Sequence, residues 1–224
     1  MRFVFLLGLL SIFNLSYGQS DSDSIPGKRY FEDQFYLGLT YNFMLNNAEG
    51  TNQRNFSYGL LGGIIKDIPL NASRTRAIGI GVGLALNSYY SNLVANQIGG
   101  DIVYSVQDTI KRSKLETHLL EFPLEFRWRN STVDDYKFWR LYAGVKAAYV
   151  LGARSKFVSN IMKDGFYNTD LGKFQYGITL SFGYNTFNFH AYYALSHLFD
   201  GKAAVNGEIL QYKPLRVGLI FYIL

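Results

Sequence analysis

The feature that most constrains this chain is a period of two that recurs through almost all of it. In Leu119–Asn130, LLEFPLEFRWRN, the residues Leu120, Phe122, Leu124, Phe126 and Trp128 alternate with Glu121, Pro123, Glu125, Arg127 and Arg129. Successive side chains of a strand point to opposite faces. One face of this stretch is therefore apolar, and the other carries four charges and a proline. Related alternation runs through Phe35–Leu45, Phe56–Lys66, Ala77–Asn87, Phe138–Gly152, Phe174–Gly183, Phe187–Ser196 and Pro214–Leu224. In Ala77–Asn87, Ile78, Ile80, Val82, Leu84 and Leu86 oppose Ala77, Gly79, Gly81, Gly83 and Ala85. No long window carries the 3.6-residue period of a helix. The chain is all-β, with eight strands.

Composition narrows what those strands can build. The 224 residues suit one domain of barrel or sandwich size, or two small ones. Tyr and Phe number 18 each and Gly 22; aromatics favour strands, and glycine serves bends and close backbone approach. The absence of cysteine excludes a disulfide scaffold, a thiolate zinc site and a cysteine nucleophile. The net charge of +5 is spread along the chain, which gives no nucleic-acid surface. At the N-terminus Met1-Arg2 precedes an apolar run from Phe3 to Leu15, and Ser16-Tyr17-Gly18 sets small residues at a cleavage site. The run is shorter than the roughly 20 residues of a spanning helix. Residues 1–18 thus read as a signal peptide, 19–34 as a flexible periplasmic lead-in and 35–224 as the barrel domain. The signal directs the chain out of the cytoplasm.

Segments of about ten residues match the length of a strand crossing a bilayer at barrel tilt, and an even count suits a bacterial outer-membrane barrel. The connections Asp67–Arg76, Ser131–Lys137 and Tyr184–Thr186 are short. Most of the alternate set, Asn46–Asn55, Ser88–His118, Ala153–Lys173 and His197–Gln211, are longer. Short periplasmic turns and long extracellular loops are the outer-membrane pattern. Within the longest loop, QIGGDIVYSVQDTIKR (Gln97–Arg112) is itself strand-like; it extends strands beyond the membrane or covers the mouth. A soluble lipocalin-type barrel or a sandwich would alternate too. Three features favour an antiparallel, up-and-down transmembrane barrel. The apolar faces are long in nearly all the strands. The opposite faces mix glycines with long charged side chains, as a filled eight-strand lumen requires. Phe35, Tyr36, Tyr58, Tyr89, Tyr90, Trp128, Trp139, Tyr142, Tyr149 and Tyr193 cluster near strand ends, as interfacial girdles do.

Parity places Glu121, Glu125, Arg127, Arg129, Arg140, Lys146, His190 and Arg216 inside. As a functional set they would form a polar conduit, or a proton or ligand site. As a structural set they form an ion-pair network that plugs the lumen and fixes register, since buried charges must be paired to be tolerated. Catalysis finds little support. Ser196 and His197 are adjacent and face opposite ways, and His190 and Ser196 share a face but lie about 20 Å apart along the strand. His118 falls at a loop boundary and reads as solvated. Asp101 and Asp108 are loop carboxylates without a calcium-loop spacing. The glycines of GIGVG (Gly79–Gly83) lie within a strand, where they serve packing rather than phosphate binding. Pro123 removes a ladder donor and predicts a bulge or local irregularity.

Three segments carry a family resemblance: HLLEFPLEFRWR (His118–Arg129), LYAGVKAAYVLGARSK (Leu141–Lys156) and DLGKFQYGITLSFGYNTFNFHAYYALSHLFD (Asp170–Asp200). Together they resemble the PorT-like outer-membrane β-barrel family of Bacteroidota, over roughly Phe35–Leu224. Leu224 departs from the pattern, standing where an aromatic is usual, with Tyr222 or Phe221 in its stead. The resemblance implies an outer-membrane location, and it links the chain to type IX protein secretion and gliding. The reading as a whole is a non-enzymatic structural or accessory component of the cell envelope, without a cofactor or metal. Its partners are outer-membrane lipid and other envelope or secretion proteins, and no small-molecule substrate is identified. The alternative is a small porin-like transport or ligand-binding barrel.

Overall fold

The computed structural model describes residues 32–130, 139–159, 163–184 and 187–223. The signal peptide, most of the lead-in, the connection Ser131–Lys137 and Leu224 lie outside the described residues. The strands in chain order are β1 (Glu32–Leu45), β2 (Tyr58–Pro69), β3 (Arg76–Ser91), β4 (Leu93–Ile98), β5 (Asp101–Val106), β6 (Arg112–Arg129), β7 (Trp139–Val158), β8 (Lys163–Tyr167), β9 (Phe174–Tyr184), β10 (Phe187–Ala194), β11 (Ala204–Val205), β12 (Glu208–Ile209) and β13 (Lys213–Ile223). Eight of them, β1, β2, β3, β6, β7, β9, β10 and β13, pair antiparallel with their chain neighbours, and β13 pairs back on β1. Among the described residues these eight strands form a closed up-and-down barrel in which each has a neighbour on both sides, which is how a sheet satisfies its backbone in hydrocarbon.

Register sets the tilt. A path of paired residues leaves β1 at Glu32 and runs through Asp67, Gly79, Glu125, Gly144, Thr179, Tyr192 and Arg216. It returns to β1 at Asn42, ten residues further along the strand. A stagger of that size on eight strands corresponds to a tilt of roughly 35–45°, and the interior it leaves holds side chains only.

Alternation along each strand divides the protein into an apolar outside and a mixed inside. Phe122, Leu124, Phe126 and Trp128 are exposed on β6, while Glu121, Glu125, Arg127 and Arg129 between them are buried. Phe35, Leu37, Leu39, Ile80, Val82, Leu84, Leu141, Val145, Ile178, Leu180 and Leu219 continue the exposed belt around the barrel. A soluble barrel would invert this. The aromatic girdle needs correction. Trp128, Trp139, Tyr149 and Phe35 are exposed, but Tyr36, Tyr89 and Tyr142 are buried inside. Parity, not nearness to a strand end, decides which way a tyrosine points.

Three strands run well past the belt at the loop end. β3 reaches Ser91, β6 begins at Arg112 and β7 continues to Val158, where β8 adds to it. His118 therefore lies within a strand, exposed on its outer side, and not at a loop boundary. The Gln97–Arg112 stretch does two things: its end starts β6, and its first part forms the β4–β5 hairpin. That hairpin closes on Gly99-Gly100, and β11–β12 closes on Asn206-Gly207; all four residues have positive φ, as a two-residue hairpin turn of the favoured hand requires. Met44, Tyr89, Leu93, Tyr104, Leu198, Phe199, Leu210 and Tyr212 pack into a small core that roofs the mouth. Tyr212 donates to Thr51 at 2.9 Å, and Asn168 donates to the Tyr104 hydroxyl at 2.9 Å and to Ser155 at 2.8 Å.

Pro123 produces a gap and no shift. Ile80 pairs with Leu124 and Gly83 with Glu121, so β3–β6 register is the same on either side of the proline. The bulge lies higher. His118 pairs with Gly152 but Leu119 with Val150, which leaves Leu151 as an extra residue on β7.

Candidate functional site in the barrel lumen

All eight charged or titratable residues assigned inward by parity are buried in the lumen: Glu121, Glu125, Arg127, Arg129, Arg140, Lys146, His190 and Arg216. They form two clusters rather than one. In the cluster nearer the turns, Arg127 donates through Nη1 to Asp67 Oδ1 at 2.6 Å and to Gln34 Oε1 at 3.0 Å, and through Nε to Glu125 Oε2 at 3.0 Å. Arg129 Nη1 lies 3.3 Å from Asp67 Oδ2, and its Nε donates to the Arg74 carbonyl in the β2–β3 turn at 2.8 Å. Arg140 is buried across from Arg129 in the register of β6 and β7.

In the cluster nearer the loops, Glu121 is shared. Its Oε2 lies 2.9 Å from Lys146 Nζ, and its Oε1 lies 2.9 Å from Arg216 Nη1. The network climbs from there. Asn87 Oδ1 accepts from Arg216 at 3.4 Å and from Asn42 at 3.3 Å, and Thr40 donates to Asn42 at 2.8 Å.

Among the described residues, five lumenal cations face three carboxylates, Asp67, Glu121 and Glu125. Tyrosine rings supply further partners. The Arg127 guanidinium lies between two of them, 4.4 Å from the Tyr142 centroid and 4.9 Å from that of Tyr222. Arg216 stacks 3.9 Å over Tyr192. A cation over a ring face is stabilised most where water is excluded. Between the clusters, Tyr36, Ile65, Ile220 and Tyr222 belong to an apolar layer. The void beside it holds about 10 Å³ and is lined by Tyr36, Ile65, Pro123, Glu125, Lys146, His190, Ile220 and Tyr222. That is room for about one water.

Glycines make the filling possible. A Cβ added at Gly79 would lie 2.7 Å from Arg127 Nε, and one at Gly83 would collide with the Tyr36 hydroxyl. GIGVG is the floor on which two large side chains rest.

Three residues of the site escape a reading by strand segments alone. Asp67 falls in what reads as a turn, yet β2 continues to Pro69 and Asp67 is fully buried. Its signal is parity, since it shares a face with Gly59, Gly63 and Ile65. Gln34 falls in the lead-in, but β1 begins at Glu32. Ser181 is the partner of His190: its Oγ lies 2.8 Å from Nδ1, and the two residues are in register across β9 and β10. Both are buried, which leaves no approach for a substrate carbonyl. Ser196 instead accepts from the Tyr176 amide at 3.1 Å. The loop carboxylates do not converge either. Asp108 binds Arg54 at 2.5 Å and Asp101 opens β5 after the hairpin tip, and the described residues contain no metal-ligating group of three or more acids, histidines or cysteines.

No curated protein matches the chain. Among solved structures, the crystal structure of Ail, the attachment invasion locus protein of Yersinia pestis, is similar at 12% identity, over 85% of this chain and 96% of that one, with a TM-score of 0.34. That identity is too low to bear on function. The family model described as outer membrane protein beta-barrel domain matches residues 17–200. This agrees with the closed barrel and its exposed apolar belt and places the protein in the outer membrane, with short turns in the periplasm and long loops outside. The chain belongs to the outer membrane protein beta-barrel domain family.

Proposed function

We propose that this protein is a closed, non-enzymatic barrel that serves as a structural or accessory component of the cell envelope. The observation that carries the reading is the filled lumen: two ion-paired clusters, an aromatic layer between them and a void of about 10 Å³. A hydrated ion needs a continuous path, and a space for one water offers none. With the interior committed to side chains, contact with partners falls to the outer surface and the roofed loops. The strand resemblance makes type IX secretion or gliding the envelope process to examine first, with neighbouring envelope proteins as partners and lipid around the belt.

Planar-bilayer recording of the purified barrel tests this. The expected trace is flat. Steady unitary conductance would overturn the closed reading in favour of a small pore. Pull-down of the tagged protein from outer membranes, read by mass spectrometry, tests the accessory role. Recovery of the barrel alone would count against it.

A further inference from the structure

The bulge at Leu151 has an effect outside the lumen. Below it, the even-numbered residues of β7 point inward: Arg140, Tyr142, Lys146 and Ala148 are buried. Above it, Ala153, Ser155 and Phe157 are the buried ones. The extra residue reverses the parity, and Arg154 and Lys156 turn outward. Without the bulge they would enter the roof core.

On the neighbouring strand, Arg112, Lys114 and Glu116 face outward as well, each beyond the last exposed apolar residues of the belt. Register then sets Lys114 directly opposite Lys156, and Glu116 opposite Arg154. Like charges facing each other across a ladder are destabilising. One carboxylate answers both ammonium groups: Glu116 Oε2 lies 2.5 Å from Lys156 Nζ, and Oε1 contacts Lys114 Nζ. Aromatic faces hold Lys114 further, and Arg154 as well. Lys114 lies 5.6 Å from the Tyr58 centroid and 5.5 Å from that of Tyr90, and Arg154 lies 5.7 Å from that of Tyr167. Four cations and one carboxylate thus share the outward face of β6 and β7. Strands tilted in this way rise about 2–3 Å per residue along the barrel axis, so the group stands at headgroup depth on the extracellular side.

We infer that this face binds the phosphate-bearing headgroup of the outer-leaflet glycolipid. Ammonium and guanidinium groups together suit a phosphate: the guanidinium offers a planar pair of donors and the ammonium a compact charge. The acyl chains of the same molecule lie along Tyr149, Leu151 and Phe122, which are exposed directly below. One ligand therefore matches the two halves of the surface, charged above and apolar beneath.

The test reconstitutes the full barrel in bilayer discs containing diphosphorylated lipid A or the same lipid stripped of phosphate. Lipid retained per barrel after washing is counted by native mass spectrometry. The wild-type barrel should retain the phosphorylated lipid selectively. In Arg154→Gln/Lys156→Gln, retention should fall by roughly thirtyfold, the factor expected for two cations at a membrane surface. The variant's folding is checked by its heat-modifiable gel shift, and the comparison of the two lipids on wild-type protein needs no variant. Equal retention of both lipids would overturn the inference, as would unchanged retention in a folded variant. Release of the lipid by millimolar inorganic phosphate, with no preference for the lipid form, would overturn it too.

Discussion

Arg127 and Asp67 meet at 2.6 Å in the periplasmic half of the lumen, from strands that are not neighbours. β3 lies between β2 and β6, and Gly79 on β3 lets the Arg127 side chain cross it. Both residues are fully buried. The pair ties the wall together across a strand, which no backbone ladder does.

Removing one partner should cost more than removing both. Asp67→Ala leaves Arg127 buried with Glu125, Gln34 and two tyrosine rings and takes the Asp67 carboxylate from Arg129 as well, and breaking a buried pair in this way costs about 3–5 kcal/mol. Asp67→Ala/Arg127→Met removes one of the two buried cations that Asp67 pairs, with Arg129 left in place, and should recover part of that loss. Urea titration in detergent, followed by the gel shift of the folded barrel, measures both. A double variant as unstable as the sum of the two single changes would show that the two residues do not act as a pair.

Glu121 is the hub of the other cluster, so its neighbours are not equivalent to it. Lys146→Met leaves Glu121 with Arg216 at 2.9 Å. Glu121→Gln leaves two buried cations without a counter-charge. The glutamate change should be the more damaging by about 1–3 kcal/mol, the penalty range for an unsatisfied buried polar group, with the upper end expected for charges. The same titration ranks the two variants, and the reverse order would remove Glu121 from the centre of the network.

Much of this site is legible in the sequence because burial follows parity. Glu121, Glu125, Arg127, Arg140, Lys146, His190 and Arg216 are assigned by alternation alone, and the barrel wall obeys it. The failures have separate physical causes. Asp67 is hidden by Pro69 and the turn residues after it, which resemble the end of a strand, although a proline is tolerated at that margin. Tyr36, Tyr89 and Tyr142 lie near strand ends, yet each is an inward residue. The Ser181–His190 contact depends on cross-strand register, a property of two strands at once. The outward turn of Arg154 and Lys156 depends on a bulge at Leu151, where nothing in the residue type announces an extra position.

The packing of Tyr36 against Gly83 predicts a suppressor. A methyl at Gly83 would meet the Tyr36 hydroxyl first, with the Gly62 carbonyl at 2.8 Å. Gly83→Ala should therefore destabilise by about 1–3 kcal/mol, as overpacking does. Adding Tyr36→Phe removes the nearest atom and should restore part of the loss. If Tyr36→Phe worsens Gly83→Ala in the same unfolding assay, the hydroxyl is not the obstacle.

The roof should respond to pH through Asp170. Burial holds its carboxyl above the ordinary carboxylate range, and Asp200 adds to the effect, while the Tyr104 hydroxyl 3.2 Å away pulls the other way. A raised value in the folded state means that the folded roof binds the proton more tightly than the open one does. The stabilisation is then complete below the ordinary carboxylate pKa and is lost as pH rises through the raised one. Asp170→Asn keeps an acceptor for Tyr104 and removes the titration. Hydrogen exchange at the amides of Asn168, Asp170 and Gly172, corrected for intrinsic rates, should show wild-type protection falling with rising pH through the carboxylate range. In the asparagine variant, protection should stay at the acidic level. A variant that tracks the wild type would show that another group controls the roof.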